Sequence, residues 1–149
     1  MAHYNFSRDF PEGRQAEEEA KIKIKNMFPG ILINENDNIT EDFDISGLYE
    51  SKEIKFEVKW DKMAEKTGNV AIEYESRGKK SGISVTIADF YIYKIKNKFY
   101  IFDTSVIKDE LFNKMNYDRD VIGGDKGSQT KMYLIKTENF ILWGKEMKQ

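Results

Sequence analysis

The chain has no cysteine, one histidine and two prolines among its 149 residues. Without cysteine there is no disulfide, no thiolate metal site and no cysteine nucleophile. The one histidine, His3, lies near the start, so histidine-based catalysis is not expected. Long apolar runs are missing as well: no stretch nears the roughly 20 residues that cross a bilayer. The opening MAHYNFSRDF holds no apolar segment of the secretory kind. An excess of one charge is also absent, with 24 Lys and Arg against 26 Asp and Glu. That is not the overall basicity of a typical nucleic-acid-binding domain. Carboxylates and lysines remain to do chemistry. A hydrolytic site built from them calls for a hard, oxygen-seeking cation such as Mg²⁺ or Mn²⁺.

Forty per cent of the residues are hydrophobic, with ten Phe, eight Tyr and two Trp. That is enough for one packed core. The expectation is a single domain over 1–149, with residues 1–12 as an N-terminal arm. It would be cytoplasmic and away from membranes.

The chemistry concentrates in Phe56-Glu57-Val58-Lys59-Trp60-Asp61. Successive side chains of a strand point to opposite faces. Phe56, Val58 and Trp60 then share an apolar face, while Glu57, Lys59 and Asp61 share the other. Thirteen positions before Glu57 comes Asp44, in a segment that reads as the preceding strand. Turn-prone residues from Gly47 to Glu53 let the chain reverse, so an antiparallel pair would set Asp44 beside Glu57. Two acids and a lysine so placed can hold a divalent cation and polarise a water, as phosphodiester cleavage requires.

Hydrophobic spacing predicts a helix from about Arg14 to Phe28, with Ala16, Ala20, Ile24, Met27 and Phe28 as its buried stripe. Pro29-Gly30 ends it. Ile31 to Ile33 leads into a strand, and Asn34 to Asn38 is a turn. Strands follow at about 42–49, 53–61 and 70–76, with a polar connection from Lys62 to Gly68. Thr86 with Asp89 resembles a capping box, so a short helix is expected there. Tyr91–Tyr93 and Phe99–Phe102 form a hairpin whose aromatics are mostly core. A helix from about Ser105 to Met115 puts Ile107, Leu111, Phe112 and Met115 on one face. Gly123 to Ser128 is a loop, Met132–Ile135 a strand, and Thr137 caps a last helix toward Met147.

Asp44 with Glu57-x-Lys59 resembles the PD-(D/E)XK nuclease superfamily. Gly13-Arg14-Gln15-Ala16-Glu17 is similar to the start of the first helix in archaeal Holliday-junction resolvases. Thr67 to Phe90, TGNVAIEYESRGKKSGISVTIADF, looks like a group of small phage-encoded nucleases of this fold. The likeness spans roughly residues 13 to 104. One feature departs from it: no proline precedes Asp44, a position where that proline is often absent.

The resemblance implies a restriction-endonuclease-like α/β fold, an αβββαβ core with a central mixed sheet flanked by helices. It implies that Asp44, Glu57 and the carbonyl of Val58 hold Mg²⁺ or Mn²⁺, that Lys59 acts on the water and phosphate, and that Glu17 joins them. Glu73, two before Glu75 on what reads as the adjacent strand, matches the acid after TGN and could reach a second metal or hold Lys59. Arg77, Lys79 and Lys80, beside Gly78 and Gly82, could track a phosphate backbone. Lys94, Lys96 and Lys98 form a second basic group. The implied function is a metal-dependent DNA endonuclease. The alternatives are a Holliday-junction resolvase, acting as a homodimer, and an inactive nucleic-acid-binding module of the same fold.

Overall fold

The computed structural model describes residues 11–35, 44–123, 127 and 129–148. Helix α1 runs Pro11–Met27. It starts three residues before the expected Arg14, because proline at a first helical position loses no hydrogen bond. Residues 11–12 of the expected arm are thus helix, and the rest of the arm lies outside the described residues. Pro29 cannot continue the helix. The chain turns through Gly30, whose φ is 88°.

Among the described residues the strands form two sheets. The first has six strands: β1 (Leu32–Ile33), β2 (Ile45–Tyr49), β3 (Lys52–Trp60), β6 (Phe90–Ile95), β7 (Lys98–Asp103) and β10 (Lys145–Glu146), in the order β1-β2-β3-β6-β7-β10. All neighbours are antiparallel except β3 and β6, which run parallel. Between β3 and β6 the chain makes helix α2 (Lys62–Thr67), strands β4 (Asn69–Ser76) and β5 (Lys79–Lys80), and a 3₁₀ turn (Gly82–Ser84). After β7 come α3 (Thr104–Lys108), a π-helical turn (Asp109–Asn113), β8 (Arg119–Gly123), β9 (Thr130–Lys136) and α4 (Thr137–Phe140) with a further 3₁₀ turn. Strands β5, β4, β9 and β8 build the second sheet. This is the expected mixed α/β class, a central mixed sheet flanked by helices.

Several expectations change. Thr137 makes no capping bond, and the last helix is only α4 with a 3₁₀ turn before β10, because the chain returns to the sheet at Lys145–Glu146. The 70–76 strand, read as a neighbour of the motif strand, is β4 in the second sheet, paired to β5 and β9. The first three strands of the central sheet are instead β1, β2 and β3. Lys62–Gly68 is not a plain connection, because the Asp61 carboxylate accepts the Ala64 N–H and caps α2. No helix begins at Thr86. Its hydroxyl accepts the N–H of Ala88, while Asp89 accepts the N–H of Lys55 on β3. In the helix after β7, Ile107 and Leu111 are buried but Phe112 and Met115 are exposed. Its second half widens into the π turn, which rotates those two out of the stripe.

The expected reversal between β2 and β3 falls at Glu50-Ser51, both at positive φ. A two-residue turn of that shape matches strand twist. Gly47 sits inside β2, where a Cβ would press on Ile31.

The central sheet is apolar on both faces. Under α1, Ala16, Ala20 and Ile24 meet Ile54, Phe56, Val58, Ile92, Phe99 and Ile101. On the opposite face Tyr91, Tyr93, Ile95 and Phe102 meet Val70, Ile72 and Ile135 of the second sheet, with Ile107, Leu111 and Phe140. Burying a side chain such as Phe56 or Ile24 contributes about 2 kcal/mol each. That packing fixes β3 between two layers, with its polar residues at their boundary.

Candidate active site

Strand β3 supplies two functional side chains. Its alternation sends Phe56 and Val58 under α1 and turns Glu57 and Lys59 to the other side. That side is not open solvent. The chain between β3 and β6 folds over it and leaves a cleft of about 670 Å³. Glu57, Lys59, Tyr91 and Tyr93 line it from the central sheet, Glu73, Ile72 and Met132 from the second, and Met63, Ile83 and Val85 from the connection. Gly82 makes the close approach possible. It has a φ of 52°, and a Cβ there would collide with the Glu73 carbonyl.

The antiparallel register pairs Ile45 with Phe56. Extended by one residue, it sets Asp44 opposite Glu57, as the sequence spacing suggests. The Asp44 N–H donates to the Phe56 carbonyl at 3.0 Å. Asp44 Oδ2 accepts the Val58 N–H at 2.9 Å. This buried carboxylate is therefore tied to the backbone between the two motif residues.

Glu57 Oε1 lies 3.4 Å from Lys59 Nζ, with Glu57 17% exposed and Lys59 49%. Burial pushes the Glu57 carboxyl up to about 7. The Lys59 ammonium opposes that rise, while Asp44 and Glu17 add to it. Burial works against the Lys59 charge, yet Glu57, Asp44 and Tyr91 outweigh it and raise its pKa. Lys59 is therefore a protonated amine at neutral pH.

Glu17 is buried on α1, near enough to be felt at Glu57. Asp44, Glu57 and Lys59 thus come together from the start of β2 and from β3, while Glu17 acts on Glu57 from α1 electrostatically. Asp61 does not join them, since its two oxygens accept the N–H groups of Ala64 and Ala71. Among the described residues no three acids close into a ready-made cation cluster.

Glu73 is exposed and lines the cleft, but from the second sheet rather than from a strand beside β3. Glu75 pairs with Lys131 at 3.1 Å. Arg77, Lys79 and Lys80 stand exposed at the β4–β5 hairpin, and none of them lines the cleft. Lys94 is not part of a basic surface. It is buried, 3.0 Å from Glu19 of α1, with its ammonium over the rings of Trp60 and Phe99.

The sequence sets Thr86 at a helix cap and Tyr91 among core aromatics, yet both line the cleft. Tyr91 is 4% exposed and lies beside Glu57 in the parallel β3–β6 register. The strand period places it on the Glu57 face, but only the parallel pairing of β6 with β3 brings it next to that residue.

No protein-family model matches the chain, and no curated protein matches it. Among solved structures the chain is similar to a bacterial homing endonuclease, I-Ssp6803I. The identity is 19% over 78% of this chain and 77% of that one, with a TM-score of 0.45.

Proposed function

We propose that this chain is a metal-dependent DNA endonuclease of the PD-(D/E)XK type. The observation that carries the reading is the pairing of Glu57 and Lys59 on the wall of one cleft, with the Asp44 carboxylate bonded to the backbone between them.

The donor set fits a hard cation. It is all oxygen, and burial, with Asp44 and Glu17 nearby, pushes the Glu57 carboxyl up to about 7 against the pull of Lys59, a cost that a bound cation would offset. Asp44, Glu57 and the Val58 carbonyl would hold Mg²⁺ or Mn²⁺. When bound, such an ion makes a water more acidic and neutralises charge on a phosphate. The protein's own groups do the rest. Lys59, protonated, supports negative charge developing on the phosphate and is not a general base. Asp44 keeps the β3 backbone in place through Val58. Glu17 adds negative charge and pulls the site further toward a cation. Glu73 reaches a second ion or the DNA only from across the cleft.

The DNA backbone would run from the cleft toward the β4–β5 hairpin with Arg77, Lys79 and Lys80, whose charges suit phosphates. Cleavage of plasmid DNA in Mg²⁺ or Mn²⁺, absent in EDTA and absent in Lys59→Ala, tests the reading.

A further inference from the structure

The cleft beside Glu57 and Lys59 is ill suited to a run of phosphates. Among the described residues its lining holds two lysines, Lys59 and Lys62, against three acids, Glu57, Asp61 and Glu73. Lys59 lies 3.4 Å from Glu57, and the Lys62 ammonium sits over the Trp60 ring, 4.6 Å from its centroid. Most of the remaining lining is apolar, including Ile72, Ile83 and Met132. A stacked duplex turns its charged backbone outward and keeps its base faces covered, so it offers these walls nothing apolar.

Two of the apolar lining residues face outward. Met63 on α2 is 59% exposed, and Val85, just past the 3₁₀ turn, is 55% exposed. Lone exposed apolar side chains are ordinary on a protein surface. These two share one cleft with the Glu57–Lys59 pair. Their backbones are fixed: the Asp61 carboxylate caps α2 by accepting the Ala64 N–H at 2.9 Å, and the Val85 N–H donates to the Gly82 carbonyl at 3.1 Å. The cleft volume of about 670 Å³ falls within the roughly 300–1,000 Å³ of sites for single small ligands. That is room for one nucleotide turned out of its stack, with an apolar base face to bury.

Resting on the nuclease reading, we propose that the substrate class is DNA with an unpaired nucleotide beside the scissile phosphate, and that Met63 and Val85 are specificity-determining residues that take its base.

The test compares wild type with the double variant Met63→Ala/Val85→Ala on a fully paired duplex and on the same duplex carrying a one-nucleotide bulge. Both side chains are more than half exposed, so the variant keeps the core. Wild type should cut the bulged duplex about tenfold faster than the paired one, because its unpaired base is already free to leave the stack. In the double variant, cutting of the bulged duplex should fall about tenfold, the effect of losing methyl and methylene contacts in an apolar pocket, while the paired duplex is cut at the wild-type rate. A 2-aminopurine at the bulge, in Ca²⁺, reads the base without cleavage. Its emission should rise on binding wild type, as the base leaves its stacked neighbours for aliphatic walls, and rise less with the double variant. Equal, measurable cutting of the two duplexes by wild type, an unchanged preference in the double variant, or no rise in emission overturns the proposal. A wild type that cuts nothing, yet raises the emission more than the double variant does, ends the nuclease reading and keeps the base site. A wild type that neither cuts nor raises the emission ends both.

Discussion

Asp44 Oδ2 accepts the backbone N–H of Val58 at 2.9 Å, so an acid at the start of one strand is anchored between Glu57 and Lys59 on the next. The carboxylate therefore has two duties, structural and chemical. Asp44→Asn keeps an oxygen for Val58 and should fold like wild type while losing cleavage. Asp44→Ala leaves a buried N–H without its partner and should cost about 1–3 kcal/mol as well. Denaturant unfolding of the two variants separates the duties. Equal stability of the two would show that the bond to Val58 contributes nothing.

Glu57 gives a pH signature. Its folded pKa of about 7 is raised from 4.5, so its ionisation in the metal-free protein opposes folding. The folded state holds the extra proton between those values, and this group's contribution falls as pH rises through the window. Removing the carboxyl should then stabilise the metal-free protein above pH 7 and not below pH 4.5. Glu57→Gln should gain up to about 3 kcal/mol at pH 8 in EDTA, from roughly 1.4 kcal/mol per pKa unit, and nothing at pH 4. An equal gain at both pH values would assign it to packing instead of charge.

Metal binding should release protons for the same reason. A carboxyl titrating near 7 is about half protonated there and must ionise to ligate. Calorimetry of Mg²⁺ or Mn²⁺ in buffers of different ionisation enthalpy should report about half a proton released at pH 7. Close to none should be released at pH 8.5. No buffer dependence at pH 7 would remove Glu57 from the ligand set.

Lys94 separates two readings of one basic stretch. Its neighbours Lys96 and Lys98 are exposed, whereas Lys94 is buried against Trp60, Phe99 and Glu19. Lys94→Ala should destabilise the fold by about 2 kcal/mol, below the 3–5 kcal/mol of a fully buried pair because Glu19 is partly exposed. Lys98→Ala should cost almost nothing. Equal effects in thermal unfolding would contradict the burial.

Much of this was legible in the sequence, and its limits have physical causes. The period of two in Phe56–Lys59 separates core from chemistry by itself, and the reversal after Asp44 follows from strand pairing. Glu17 could be named only through resemblance, because an acid in a first helical turn is favoured at any helix. The place of Glu73 was not legible. Whether β4 joins β3 or leaves it depends on long-range packing of Val70 and Ile72 against Ile135, and β4 reads as a strand either way. Lys94 was misread because a lysine is rarely buried unless paired, and its partner Glu19 is 75 residues away.

The basic hairpin is tested by salt. Neutralising Arg77, Lys79 and Lys80 together should weaken DNA binding across sequences. It should flatten the dependence of log affinity on log salt by roughly one unit per lost phosphate contact. Cleavage at saturating DNA should change little, because none of the three lines the cleft. An unchanged salt slope would make the hairpin a solvated turn.

The central claim is that Asp44, Glu57 and Lys59 form one hydrolytic site, and plasmid cleavage tests it most directly. Wild type should convert supercoiled DNA in Mg²⁺ or Mn²⁺ and leave it intact in EDTA. Lys59→Ala, on a half-exposed side chain whose loss spares the core, should fold and bind DNA like wild type and cut at least 10²-fold more slowly. Cleavage by Lys59→Ala at the wild-type rate, or by wild type in EDTA, would contradict the account.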